Sequence, residues 1–395
     1  MMTIKETISK TIRGLWGEEL IDGKTGIPVI KTNNMSYEGK IDYTELTYRD
    51  IDESKIQDNY LQKGDLLIEK SGGTKTHSVG YVNIFEGTDN KYVCNNFILA
   101  IRPNREVINP KYLFYDIHYK YNSGRFDDCY NKTTGIQNLK VDNYLAKKIN
   151  IIDLEKQQMI VSILDTINNI IDANKKQLEL LDEADKSRFI EMFGDAVENP
   201  KRWATKQLIE MGIFKNGMNF HNDENGMEIN CLGVGDFKDF DVISNVSNLP
   251  VVSLNDMPSK DYLLQDGDII FVRSNGNKKM VGRSVMVFPN NTPAIFSGFC
   301  IRYRNCDDSV VLPYLLKVLK SDSIRQQMYG RGANIQNLNQ QVLSNLLIPL
   351  PPIELQKKYV EFSNQIEKLK YNVQQHLNLM QELLNKKMEE FFGGE

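Results

Sequence analysis

The strongest constraint in this sequence is an internal repeat. The segment TGIQNLKVDNYLAKKINIIDLEKQ, beginning at Thr134, recurs as ANIQNLNQQVLSNLLIPLPPIELQ, beginning at Ala333. Ile136, Gln137, Asn138 and Leu139 pair with Ile335, Gln336, Asn337 and Leu338, and Glu155 and Gln157 pair with Glu354 and Gln356. Phe193-Gly194 pairs with Phe392-Gly393, and all of these pairs are 199 residues apart. Upstream the match loosens but keeps its order. Gly64-Asp65 stands opposite Gly267-Asp268 at an offset of 203, and Tyr112-Leu113 opposite Tyr314-Leu315 at 202. Small changes of offset mean short loop insertions on a shared scaffold. The chain is two copies of one unit, each a globular domain of roughly 150 residues followed by a long helix.

The helices announce themselves by periodicity. Residues 155–192 carry an apolar stripe of Ile160, Leu164, Ile167, Ile171, Leu178, Leu181 and Met192, widened by Ile163 and Ile170. The second stripe runs Tyr359, Phe362, Ile366, Leu369, Val373, Leu377, Met380, Leu383, Leu384. Neither has Pro or Gly in its interior, and Pro351-Pro352 sits where a helix start tolerates proline. About 38 residues make a rod of roughly 57 Å, which needs a partner along its length. The nearest partner is the other copy. The spacing predicts an antiparallel pair about a pseudo-two-fold axis, with a globular domain at each end. Its seam is expected from Ile160, Leu164, Ile167, Ile171, Leu178 and Leu181 against Phe362, Ile366, Leu369, Val373 and Met380. Asn174 falls in the stripe where copy two has Val373, as a register-setting polar residue would.

The fold class expected is α+β: two mixed α/β domains joined by two long antiparallel coiled-coil helices. The boundaries are 1–153 and 194–352 for the domains, and 154–193 and 353–395 for the helices. Apolar residues at 41% and charged residues at 25% fit a soluble globular chain. Nowhere do 18 apolar residues run together, and the opening MMTIKETISKTIRGLW lacks a signal peptide's apolar region, so no membrane is expected. Cys94, Cys129, Cys231, Cys300 and Cys306 are scattered without CxxC spacing. That argues against a disulfide framework or thiolate zinc site and for a reducing, cytoplasmic setting.

Net charge is −4, which excludes a bulk-cationic nucleic-acid binder but not a local basic groove. The helical segments carry that charge and leave the globular halves neutral. Within the halves the sign is uneven. Arg273, Lys278, Lys279 and Arg283 run without an acid, and Arg325 and Arg331 begin another acid-poor stretch. In copy one, Lys132, Lys140, Lys147 and Lys148 stand against only Asp142, and Lys70 and Lys75 flank a Gly-rich turn. Basic residues beside Ser, Asn and Gly can follow phosphates and read base edges. One such run is most simply a solvated loop; two at matched places favour DNA contact. The candidate contacts are Lys70, Lys75, Ser274, Asn275, Asn277, Lys278, Lys279, Arg283 and Arg331.

No catalytic, cofactor or metal site emerges. There is no GxxxxGK[ST] loop, and Gly233-Val234-Gly235 is too little for a dinucleotide fingerprint. His77, His118, His221 and His376 lie far apart and read as surface or packing residues. Asp65 with Glu69 suggests an acidic pair, but Val272 replaces Glu69 in copy two, so both aspartates read as turn formers. Asn109-Pro110-Lys111-Tyr112 lacks the second Pro of an amino-methyltransferase motif.

The whole chain resembles the specificity subunit of type I restriction-modification systems. The resemblance rests on the two IQNL segments, the ensuing INIIDLEKQ and LIPLPPIELQ, the helices closing on Phe-Gly, the Gly-Asp strand starts, and Asn96-Phe97 with Arg102. It implies a non-catalytic subunit whose two target-recognition domains each read half of a split double-stranded DNA site. The helices would act as a spacer that also docks modification subunits. Those partners would carry S-adenosylmethionine and methylate adenine N6, and restriction/translocase subunits would add ATP- and Mg2+-dependent cleavage. Other readings are a recognition subunit for a different methyltransferase or nuclease effector, and a two-headed protein-binding scaffold.

Overall fold

The computed structural model describes residues 1–20, 25–56, 58–74, 77–131, 136–221, 224, 226–237, 241–277, 279–329 and 337–394. The chain forms two compact units, Met1–Lys176 with Gln374–Glu395, and Gln177–Val373. This division cuts both long helices, Leu154–Phe193 and Ile353–Phe392, near their middles. A unit is therefore one globular domain with the first half of its own helix and the last half of the other copy's. The linear partition 1–153, 154–193, 194–352 and 353–395 describes the elements, whereas packing groups them differently. Among the described residues no helix is long and apolar enough to cross a membrane.

Both domains are built on one plan. In the first unit, Ile8–Ile12, Ile98–Pro103, Leu66–Glu69 and Val82–Ile84 form an antiparallel sheet in that order. Leu66–Glu69 is buried along its whole length, which is why it reads as an unbroken run rather than an alternation. A second sheet sets Ile27–Ile30 antiparallel to Thr47–Arg49 and parallel to Val93–Cys94. The second unit repeats the order with Gly212–Asn216, Cys300–Asn305, Asp268–Val272 and Ser284–Val287, adding Val242–Ile243 at the edge. Its smaller sheet sets Met227–Leu232 antiparallel to Val251–Leu254 and parallel to Ala294–Phe296. Short antiparallel pairs, Met2–Thr3 with Lys148–Ile149 and Thr205–Gln207 with Leu347–Pro349, close the two domains.

The repeated residues hold the helices onto these domains. Gln157 and Gln356 are fully buried at the first turn of each helix. The Gln157 amide donates to the carbonyls of Ile152 and Val107 and accepts from the Asn109 backbone. Gln356 does the same with Pro351, Ser309 and Val311. One side chain thus satisfies three buried backbone groups that would otherwise be orphaned. At the far ends, Phe392 packs edge-on against Tyr112 at 5.3 Å, and Phe193 against Tyr314 at 4.8 Å. The Phe of each copy's helix therefore docks on the other copy's domain. Gly194 follows in the left-handed region at φ +79°, where glycine carries no Cβ penalty.

Within each unit the helix segments lie antiparallel. In the first, Val161 and Leu164 share a core with Leu384, Met388 and Phe392, and the Asn174 side chain meets the His376 ring at 3.1 Å. In the second, Phe189 and Phe193 pack on Tyr359, whose hydroxyl donates to Asp185 at 2.9 Å. Lys317 neutralises the buried Asp185. Of the expected seam, Leu164, Ile167, Ile171, Ile366 and Val373 are buried, and Ile160, Leu178, Leu181, Phe362 and Met380 are half-buried. Leu369 departs from the expectation: it is 48% exposed. Lys370 takes its place, paired with Asp182 at 2.8 Å and Glu367 at 2.9 Å. At 3.6 residues per turn a stripe mixes steps of three and four, and here the four falls after Ile366. Burial pulls the Lys370 ammonium down, but its hydrogen bonds to Asp182 and Glu367 outweigh that and hold it above its ordinary range.

Candidate nucleic-acid interface

In each domain the Gly-Asp turn opens a β-hairpin, and the hairpin loop is the segment whose composition suggests DNA contact. Asp65 accepts the Gln62 amide at 2.8 Å and a forked pair from Arg102, Nε at 2.9 Å and Nη2 at 2.8 Å. Asp268 accepts the Gln265 amide at 2.8 Å and the same fork from Arg304, at 2.7 and 2.8 Å. The planar guanidinium matches both carboxylate oxygens, a geometry that lysine cannot supply. Gly64 and Gly267 precede these aspartates at φ +95° and +87°, which favours glycine. Both aspartates thus form turns and also bolt the hairpin to the neighbouring strand.

The IQNL segment clamps the foot of that loop. Gln137-Asn138 pairs antiparallel with Ser71-Gly72, and Asn337 bridges to Ser274. The Leu139 amide donates to the Lys70 carbonyl, and the Leu338 amide to the Arg273 carbonyl, each at 2.8 Å. Ser71 Oγ donates to Asn138 Oδ1 at 2.7 Å. The repeat that dominates the sequence is therefore the mount of the hairpin loop.

The candidate contacts that fall among the described residues lie on these loops. Lys70 and Ser274 sit at the foot of the first and second loop, partly exposed, and Lys279 is exposed on the second. Lys70, Arg273, Lys279 and Arg283 form no ion pair among the described residues, unlike Arg102, Arg304 and Lys147. Asn275 and Asn277 have a second duty. Their side-chain oxygens accept the amides of Asn277 at 2.7 Å and Lys279 at 3.0 Å, so they shape the loop they belong to. Lys75, Lys278 and Arg331, like Ile335 and Gln336, lie outside the described residues. Arg304 and the exposed turn residue Phe299 were not singled out from sequence; Arg273 was read in the basic run without being made a candidate contact, and Phe97 only as part of the family resemblance. The signal available for them was their offset of about 202 from counterparts in the other copy.

Two of the histidines have ring or side-chain partners, and one is set by burial. His77 stacks on Tyr37 at 3.8 Å, His376 meets Asn174, and burial pushes His118 down to about 4. Glu69 is buried at the foot of the first loop, where the Gly73 amide donates to Oε1 at 3.4 Å and Oε2 has no partner among the described residues. Burial raises its carboxyl above the usual range. Among the described residues, no group of three His, Cys, Asp or Glu could hold a metal ion.

The family described as type I restriction modification DNA specificity domain matches this chain twice, over residues 8–183 and 200–379. The chain belongs to that family. It is 25% identical over 364 residues to the type I restriction enzyme StySPI specificity subunit of Salmonella potsdam, covering 87% of this chain and 75% of that one. In fold it is similar to the S subunit of the type I restriction-modification system of M. genitalium. There the TM-score is 0.58 at 14% identity, with 99% of this chain and 95% of the other covered. A chain solved in a study of complex assembly and conformational transition of the type I R-M system gives 0.54 at 16% identity, covering 99% and 96%.

Proposed function

We propose that this type I specificity subunit reads a bipartite double-stranded DNA site, one half per globular domain, and positions partner subunits on it. In this reading the chain itself is non-catalytic. Modification subunits carrying S-adenosylmethionine methylate adenine N6, and restriction/translocase subunits using ATP and Mg2+ cleave, all in the cytoplasm. Beyond family membership, one observation carries the proposal: the same assembly recurs in two domains with differing loops. A hairpin bolted by an Asp–Arg fork and clamped by the Asn-Leu of IQNL presents cations that form no ion pair among the described residues. A constant mount with a variable tip is what two different half-sites require.

Methylome sequencing of the host with and without this gene tests the reading. A split adenine-methylated motif should vanish with the gene; methylation unchanged by deletion would overturn it. The purified chain, incubated with labelled S-adenosylmethionine and DNA, should transfer nothing above background. Robust transfer without partners contradicts the non-catalytic assignment.

A further inference from the structure

Phe97 and Phe299 are 53% and 63% exposed, on turns leading into the strands Ile98–Pro103 and Cys300–Asn305. They stand 202 residues apart, the offset of the Tyr112/Tyr314 and Arg102/Arg304 pairs. The two turns close alike: the Ile98 amide donates to the Asn95 carbonyl at 3.2 Å, and the Cys300 amide to the Ser297 carbonyl at 2.9 Å. Each Phe carbonyl then takes two amides from the foot of the hairpin loop. Lys70 and Ser71 donate to Phe97 at 2.7 and 3.3 Å, and Arg273 and Ser274 to Phe299 at 2.8 and 3.3 Å.

A single exposed aromatic is ordinary on a protein surface. The same residue, on the same hydrogen-bonded turn, in two domains whose neighbouring loops have diverged, calls for a common partner. The surroundings indicate which. Each ring's own backbone is tied to a cation, Lys70 or Arg273, that forms no ion pair among the described residues, and to the loop held by the exposed amides Asn138 and Asn337. Cations, amides and a pre-positioned aromatic together suit nucleic-acid bases flanked by phosphates. The turn holds the Phe backbone in place beforehand, so little ordering is lost on binding.

We infer that Phe97 and Phe299 are base-contacting residues, one per half-site, each laying its ring on an apolar feature of the bases. That feature is either a thymine methyl at the groove edge or the face of an opened base step. The inference rests on the proposed role of the two domains as DNA readers.

The test uses Phe97→Ala and Phe299→Ala in the full chain assembled with its modification subunits, on duplexes carrying the methylome-defined site. Each substitution should weaken binding roughly tenfold, through one half-site only, and Phe→Leu should recover part of the loss. Replacing thymine by deoxyuridine, position by position, locates a methyl contact: the wild type should lose affinity at one position and the Ala variant should not. If a step is opened instead, 2-aminopurine beside it should brighten on binding wild type and stay dim with the variant. Unchanged affinity, equal loss in both half-sites, or lost subunit assembly with intact DNA preference would each overturn the assignment. The wild-type complex separates the two levels of the argument. If it fails to prefer its site over a scrambled duplex, the DNA-reading proposal falls; if it discriminates and the variants match it, only the Phe assignment falls.

Discussion

Asp65 and Asp268 each hold a turn and a neighbouring strand with one carboxylate, and their value lies in being buried with a matched partner. Truncating either to Ala leaves a guanidinium beside an empty, largely dry site, which should cost roughly 3 kcal/mol. Urea denaturation of Asp65→Ala and Asp268→Ala checks this, with both sites expected to lose similar amounts. The turn-forming role was legible in sequence, because Gly-Asp before an apolar run is a local signal. The arginine fork was not: Arg304 lies 36 residues from Asp268, and only strand pairing brings them together. His118 makes a second prediction. Its folded pKa of about 4 lies below the ordinary imidazole value of 6.5, so the unfolded chain binds more protons between those values. Its stabilising contribution is complete above about pH 6.5 and is lost as pH falls toward 4. His118→Gln should flatten the decline in denaturation midpoint between pH 7 and 5; an unaltered decline would count against burial as the cause.

At the scale of elements, the two helices were readable almost residue by residue. Their stripes are long, free of Pro and Gly, and anchored by the repeated Gln and Phe. The sequence could not say which neighbour fills a turn when two are adjacent. Leu369 is apolar and Lys370 is not, yet the ammonium wins the inward position because Asp182 and Glu367 receive it. A contrast tests this register. Leu164→Glu, at a fully buried position, should cost several kcal/mol through lost packing and a buried charge, on the order of 4. Leu369→Glu should stay within about 0.5 kcal/mol of wild type. Equal effects in thermal or urea unfolding would show the seam to be misassigned. Phe392→Ala and Phe193→Ala should each cost about 3 kcal/mol by emptying the aromatic contacts with Tyr112 and Tyr314.

For the whole molecule, charge decides how DNA can be held. With a net charge of −4 there is no global attraction, so binding must depend on a few local cations. Lys279→Ala with Arg283→Ala should weaken all duplexes alike and flatten the log-affinity against log-salt slope by up to about two units. Titration at several salt concentrations measures it, and an unchanged slope would move the phosphate contacts elsewhere. Asn275→Ala or Asn277→Ala should change preference in one half-site, partly by reshaping the loop whose amides those side chains receive. By itself the sequence determined the duplication, the helices, the mixed domains and the position of the basic loops. Those features are written in order and spacing along the chain, which repetition and periodicity expose directly. Only the tertiary structure decided that Phe392 packs on Tyr112 and Phe193 on Tyr314, that the Asn-Leu of IQNL mounts the hairpin loop, and that Arg304 holds Asp268. Each of these is a contact between residues distant in the chain, set by packing and hydrogen-bond satisfaction that no local pattern records.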